Sequence, residues 1–289
     1  MKYRVKHLTT YRYADEFSSC HSQVHLVPRE TDRQTVESFD LLVDPAPEVF
    51  DRHEDSFGNQ VESFSIHVPT DVLKIEAVSV VEIKHEKIRQ QVMSRGWEDV
   101  REVLASTAPP LEALPLVFKS PHVALSPAAA EYAAPSFVSG RSVQEAGTDL
   151  MKRIYADFKF DSKATDVGTS VDEVLQRRRG VCQDFAHLMI ACVRSMGLAA
   201  KYVSGYLLTE PVPGKPRLIG ADASHAWCAV WCPDAGWVEY DPTNELSPCD
   251  KHITLAWGRD FGDVSPVRGV VIGGGGHKVV VAVDVERIK

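Results

Sequence analysis

Residues 180–197 constrain the fold of this chain more than any other stretch, because a glycine turn there leads directly into an apolar helix. Hydrophobic residues occupy most of the predicted circumference, which is typical of a buried helix. The main apolar stripe has helical spacing and consists of Cys182, Ala186, Met189, Val193 and Met196. Gly197 is the expected C-terminal stop. The sequence therefore predicts a central helix that begins with a cysteine.

Cys182 lies at the predicted N-terminus of this helix, where unpaired backbone N–H groups and the helix dipole favour a negative charge. A thiolate formed there is a nucleophile. A cysteine that opens an apolar stripe is also consistent with a small buried hydrophobic residue. Its position leaves both interpretations open, and the choice depends on residues further along the chain.

A predicted β-hairpin downstream supplies groups that can activate a thiol. Two strand-like runs flank a turn at 233–236. His225 and Asp241 are each eight residues from Pro233, so a hairpin folded there brings them to the same level. Both side chains reach one face only if the loop is odd or the ladder is bulged, and we expect a bulge at Gly236.

Cysteine, histidine and aspartate, in this chain order, can form a thiol–imidazole–carboxylate triad. The imidazole of His225 would take the proton of the Cys182 thiol, and the Asp241 carboxylate would fix the imidazole tautomer and stabilise the imidazolium. The sequence therefore predicts that these three residues are catalytic.

Three sequence blocks carry a resemblance to a known family: Gly-Val-Cys-Gln-Asp-Phe-Ala from Gly180, Ser-His-Ala-Trp from Ser224, and Val-Glu-Tyr-Asp-Pro-Thr from Val238. They resemble the signature blocks of the transglutaminase-like superfamily. More narrowly, the chain is similar to its bacterial branch of candidate cysteine proteases with an N-terminal β domain. Supporting matches are Val-Ser-Gly-Tyr from Val203 and Gly-Arg-Asp-Phe-Gly-Asp-Val-Ser-Pro from Gly258.

The resemblance makes Cys182 the nucleophile, His225 the base and acid, and Asp241 the orienting carboxylate. The oxyanion formed by thiolate attack needs donors, and the backbone N–H of Cys182 is one. In the superfamily the second donor is commonly an upstream aromatic or amide side chain. The amides near enough in sequence are Gln176 and Gln183.

Several other residues near these blocks are secondary candidates. Trp227 is expected to pack against the His225 ring or to line the cleft. His187 falls inside the buried helix, where a hydrogen-bonded core histidine is expected rather than a second base. The acidic residues that either line the site or cap the turn at 258–262 are Asp222, Asp260 and Asp263.

Composition excludes several classes of protein. The 289 residues carry a net charge of −8, which gives nucleic-acid binding no electrostatic basis. No apolar run approaches the roughly 18–20 residues of a membrane helix, and residues 1–7 do not lead into a signal-peptide core. Six cysteines without a disulfide or zinc pattern predict reduced thiols in a cytoplasmic protein. No metal and no cofactor are expected.

The chain is predicted to divide into three parts. Residues 1–90 contain several short strands with alternating polarity, which predict an N-terminal β-sandwich-like domain. Residues 91–126 form a proline-rich connection. Residues 127–289 form a papain-like or transglutaminase-like core, in which the nucleophile helix packs on an antiparallel sheet. The fold class is therefore α+β.

Local signals place further elements within this core. Ser142 and Ser170 each begin a capping box, three residues before a glutamate, and so predict two helix starts. Four glycines at 273–276, between two runs of β-branched residues, predict the tip of a hairpin. A surface loop is expected at 211–216.

The implied reaction is attack of a thiolate on a glutamine carboxamide or a peptide bond, which gives an acyl-enzyme. Water as the acceptor gives proteolysis or deamidation, and a lysine amine gives a crosslink. Because the same triad serves all three, hydrolysis is favoured only by the lack of an acidic calcium loop. The alternatives are a protein-glutamine transglutaminase or deamidase, and a non-catalytic binding module. The expected partner is a peptide or protein substrate, without nucleic acid or membrane.

Overall fold

A computed structural model describes residues 1–84, 95–209 and 224–288 and has the α+β fold expected from the sequence. An N-terminal antiparallel sheet packs beside a second sheet, and the central helix lies on that second sheet. The predicted domain division at 90 and 126 stays a prediction. The predicted loop at 211–216 lies outside the described residues.

The N-terminal region is built around one long strand with two sets of neighbours. Its strands are β1 (Lys2–Val24), β2 (Gln34–Asp44), β3 (Val49–Glu54), β4 (Gln60–Ile66) and β5 (Thr70–Ile83). The first half of β1 pairs with β5, and its last residues pair with β4. Tyr3, Val5 and His7 are buried and alternate with exposed Arg4 and Lys6, as a half-buried strand requires.

The helices are α1 (Trp97–Leu104), α2 (Pro127–Ala133), α3 (Val143–Asp157), α4 (Val171–Arg177), α5 (Cys182–Ser195) and α6 (Phe261–Val264). Helices α3, α4 and α5 begin where the sequence predicts them, whereas α1 lies inside the predicted proline-rich connection. The capping boxes at Ser142 and Ser170 are both formed, with reciprocal bonds to Glu145 and Glu173. Within the described parts of the chain, no helix has the length and apolarity needed to cross a membrane.

The second sheet supports the central helix α5. The remaining strands up to residue 258 are β6 (Lys159–Phe160), β7 (Arg179–Gly180), β8 (Ala200–Leu207), β9 (Ser224–Cys232), β10 (Gly236–Tyr240) and β11 (His252–Gly258). Four of them form an antiparallel sheet in the order β10-β9-β8-β11. Helix α5 packs against β8 and β9 and is buried from Asp184 to Arg194. The predicted buried helix on an antiparallel sheet is confirmed.

The last two strands, β12 (Val267–Gly273) and β13 (His277–Ile288), join the N-terminal sheet. Both pair with β1, β12 at its end and β13 at its start, so they lie one after the other along it. The predicted hairpin tip at 273–276 is therefore wrong. Positive φ angles at Gly273, Gly274 and Gly275 instead carry the chain past the break between the two paired segments.

Two amide side chains join the N-terminal region to β11, an edge strand of the second sheet. The side chain of Gln34 donates to the carbonyl of Thr254 (2.7 Å) and accepts from its N–H (2.8 Å). Asn59 makes the same pair of bonds with Trp257, both 2.9 Å long. Each amide bonds to the backbone N–H and C=O groups of one β11 residue, as a neighbouring strand would. These bonds satisfy the backbone groups of Thr254 and Trp257 and hold β11 in place.

Candidate active site

The side chain of Asp184 packs against the turn before α5 and fixes its conformation. The Asp184 carboxylate accepts the backbone N–H of Val181 (2.7 Å) and the hydroxyl of Thr165 (2.6 Å). A Cβ at Gly180 would lie 2.6 Å from that carboxylate, so only glycine fits. Cys182 is therefore the first residue of α5, half-buried at its N-terminus.

The hairpin between β9 and β10 places His225 and Asp241 on one face. Its turn consists of residues 233–235, and Gly236 pairs with Cys232 without any later shift in register. The expected bulge at Gly236 is therefore absent from the paired ladder. The odd, three-residue turn satisfies the same requirement, and Gly236 closes it with a φ of 71°.

Asp241 is fully buried, and its carboxylate accepts five hydrogen bonds from the residues that the structure describes. Oδ2 accepts from Nε2 of His225 (2.7 Å), Nδ2 of Asn244 (2.8 Å) and Nε2 of His252 (3.2 Å). Oδ1 accepts the backbone N–H groups of Thr243 (3.0 Å) and Asn244 (3.3 Å). Burial disfavours the charged carboxylate, but these bonds outweigh it and hold the pKa of Asp241 well below its ordinary range.

The same balance favours the charged form of His225, whose pKa shifts in the opposite direction. Its side chain is 9% exposed, and burial disfavours the imidazolium. Hydrogen bonding and negative charge from Asp241 and Cys182 outweigh burial and raise the pKa of His225 from 6.5 to about 10. Since Nε2 faces Asp241, Nδ1 is the nitrogen left for the thiol. A thiol beside such an imidazole can give its proton to the ring and become a thiolate.

Trp227 packs against both histidines of this cluster. Its ring is tilted 30° to that of His225 at 5.9 Å and stands edge-on to that of His252 at 5.1 Å. The indole is fully buried, and its Nε1 has no hydrogen-bond partner among the described residues. Of the two expectations for Trp227, packing against the His225 ring is the one that the structure realises.

The two amides considered as oxyanion donors lie on α4 and α5. Gln176 is exposed on α4, and the Nε2 of Gln183 donates to the carbonyl of Val167 at 3.4 Å. No hydrogen bond joins either amide to Cys182 or His225 in the part of the chain that the structure describes. Their role in the site stays a prediction.

The remaining candidates have structural partners. His187 is buried and its Nε2 accepts the N–H of Phe261 at 3.1 Å, as expected of a core histidine. Asp260 caps α6, and Asp263 pairs with Arg259. Asp222 lies outside the described residues.

Sequence reasoning missed His252 and Asn244. Asn244 follows Asp241 by three residues, so its place in the turn after β10 was a usable signal. His252 begins β11, two strands away from β9 in the sheet, and no spacing along the chain points to it.

His225, Asp241 and His252 also bring three potential metal-ligand atoms within 4.8 Å of one another. The backbone N–H of Cys249 donates to Nδ1 of His252 at 3.4 Å, which leaves the ring proton on Nε2. A protonated Nε2 has no lone pair for a metal. The chemistry of these donors therefore favours a hydrogen-bonded cluster.

Two family descriptions match parts of the chain. Residues 3–82 match the bacterial transglutaminase-like N-terminal region. Residues 132–242, which contain Cys182, His225 and Asp241, match the transglutaminase-like superfamily.

Similar proteins extend this match over nearly the whole chain. An uncharacterized protein of Mycobacterium tuberculosis is 40% identical over 98% of this chain and 92% of its own length. A protein-glutamine gamma-glutamyltransferase of Pseudomonas aeruginosa is 35% identical over 103 residues, or 34% of this chain and 15% of that protein. The crystal structure of a candidate cysteine protease from Cytophaga hutchinsonii shares the fold, with a TM-score of 0.77 and 20% identity over 99% of this chain and 90% of that one.

Proposed function

Because this chain belongs to the transglutaminase-like superfamily, we propose that it is a thiol-dependent acyl-transfer enzyme that hydrolyses a peptide or amide bond. Cys182 is the nucleophile, His225 the base and acid, and Asp241 the carboxylate that orients the imidazole. The observation that carries this proposal is the 2.7 Å hydrogen bond between His225 and buried Asp241, on an imidazole that also interacts with Cys182.

The reaction follows from the placement of these groups. His225 takes the thiol proton, and the thiolate of Cys182 attacks the carbonyl carbon. The C–N bond then breaks as the imidazolium gives its proton to the leaving amine, and a thioester remains. Water, deprotonated by His225, attacks this thioester, and the acid product leaves as Cys182 regains a proton. The backbone N–H of Cys182, at the start of α5, is the proposed first donor to the oxyanion.

Protein-glutamine transglutamination or deamidation is the second candidate. It is supported by the local similarity to the Pseudomonas aeruginosa glutamyltransferase. Both reactions pass through the same thioester, which a lysine amine would attack in transglutamination and water in deamidation. A binding module that keeps the fold but has no activity is the third candidate, and the intact set of thiol, imidazole and carboxylate argues against it.

Product analysis separates these candidates. The protein is incubated with peptide and protein substrates, with and without an added primary amine, and the products are identified by mass spectrometry. We expect peptide-bond cleavage that is abolished in Cys182→Ala and kept in Cys249→Ala, an exposed cysteine that serves as the matched control. Release of ammonia from glutamine without cleavage would instead support the second candidate. Amine incorporation without cleavage would establish the transglutaminase instead, and no turnover with any substrate would favour the binding module.

The expected cytoplasmic location stays part of the proposal. All six cysteines of the chain are free, and this supports a reducing compartment.

A further inference from the structure

His252 is a second imidazole on Asp241, and the proposed reaction gives it no role. It is fully buried, and its Nε2 lies 3.2 Å from Oδ2 of Asp241. The same oxygen accepts Nε2 of His225. One carboxylate oxygen therefore lies between two imidazoles that come from different strands, β9 and β11.

Its surroundings fix where His252 carries its proton. The N–H of Cys249 points at Nδ1, so Nδ1 accepts and Nε2 donates to Asp241. Burial lowers the pKa of His252, and the nearby charge of His225 lowers it further. The hydrogen bond to Asp241 and the negative charges of Asp241 and Glu239 raise it, but the net effect is a lowered pKa. His252 is consequently a neutral ring that donates one hydrogen bond, and the indole of Trp227 packs against it edge-on.

We propose that His252 is a positioning residue, whose Nε2–H holds Oδ2 of Asp241 in place and shares the carboxylate between two imidazoles. This inference rests on the proposed function. A carboxylate that accepts from two rings attracts the proton of His225 less strongly than a carboxylate that serves one. The His225 imidazolium therefore stays acidic enough to protonate a leaving amine. Asn244, the third donor to Oδ2, restrains the carboxylate from its own turn.

The first test needs only the wild-type protein. Long-range ¹⁵N–¹H spectra of ¹⁵N-histidine-labelled protein report the tautomer of each imidazole. We expect His252 to be neutral with its proton on Nε2 at pH 7. A proton on Nδ1, or a charged ring at pH 7, would overturn the proposal.

The second test compares two substitutions at this position. Gln in His252→Gln keeps an N–H that can reach Asp241, whereas His252→Leu keeps bulk without a donor. The readouts are the pH dependence of Cys182 alkylation and, once a substrate is known, kcat and KM. We expect the Gln variant to follow the wild type. In the Leu variant the alkaline limb of the pH profile of Cys182 alkylation should move up by about one pH unit. Its kcat should be about tenfold lower, with KM unchanged.

Identical pH profiles for the two folded variants would contradict a positioning role. If the Leu variant fails to fold, a profile of the Gln variant displaced from that of the wild type would contradict it as well. The reactivity of Cys182 in the wild-type protein tests the proposed function separately. Absence of a reactive Cys182 in the wild-type protein would remove the proposed enzyme, while the tautomer of His252 would still show whether it holds Asp241.

Discussion

Replacement of Asp241 by asparagine tests the electrostatic basis of the site. Asn occupies the same volume and can still bond to His225, but it carries no charge. In the folded protein the pKa of His225 is raised from 6.5 to about 10 against the effect of burial. At about 1.4 kcal/mol per pH unit, this difference corresponds to about 5 kcal/mol in favour of the imidazolium.

Asp241 and Cys182 supply the interactions that favour the charged ring, while burial opposes it. Without the Asp241 charge, we expect the pKa of His225 to fall by about two or more, which is a hundredfold loss of proton affinity. Turnover should fall on the order of 10³–10⁴-fold, the effect typical of losing a triad carboxylate.

Histidine ¹³C and ¹⁵N shifts, followed from pH 5 to 11, measure the titration of His225 directly. Asp51→Asn, at an exposed aspartate on β3 of the N-terminal sheet, is the matched control and should leave the curve unchanged. If His225 titrates at the same pH in Asp241→Asn and wild type, the charge on Asp241 contributes nothing to the imidazolium, contrary to this prediction.

Two further predictions concern stability. In Gly205→Ala the new Cβ would lie 2.2 Å from the carbonyl oxygen of Ile253 and 2.4 Å from the Trp227 ring. Urea unfolding should therefore show a free energy of unfolding lower by about 1–3 kcal/mol or more. Gly276→Ala, where the Cβ meets no atom within 4 Å, should show no such loss. Burial lowers the pKa of His7 to about 4 in the folded protein. Between pH 6.5 and 4, His7 is therefore protonated in the unfolded chain but neutral in the folded one. The unfolding free energy should therefore fall by about 3 kcal/mol between pH 6.5 and 4, and equal slopes in wild type and His7→Gln would contradict this.

The parts of the fold that could be predicted are those written in short stretches of sequence. The apolar stripe from Cys182 to Met196 specifies a buried helix, and the capping boxes at Ser142 and Ser170 specify two helix starts. The spacing of His225 and Asp241 about one turn specifies that they meet. In each case the interacting residues lie within one element or one hairpin, so periodicity and turn chemistry are sufficient.

The parts that could not be predicted depend on contacts between distant segments. Pairing of β12 and β13 with β1 joins the two ends of the chain, and the local glycine run at 273–276 suggested a hairpin instead. His252 meets Asp241 only because β11 lies beside β8, which the sequence does not specify. Gln34 and Asn59 likewise hold β11 through hydrogen bonds to residues roughly two hundred positions away in the sequence.

The proposed chemistry depends on a reactive thiolate–imidazolium pair formed by Cys182 and His225. The most direct measurement is the iodoacetamide alkylation rate of each cysteine against pH, read by peptide mass spectrometry, in wild type, His225→Ala and His53→Ala, the last at an exposed histidine. We predict that Cys182 reacts much faster than exposed Cys249 at about pH 6, and that only His225→Ala removes this difference. If Cys182 reacts no faster than Cys249 in the wild type, or equally fast in His225→Ala, the two residues do not form such a pair.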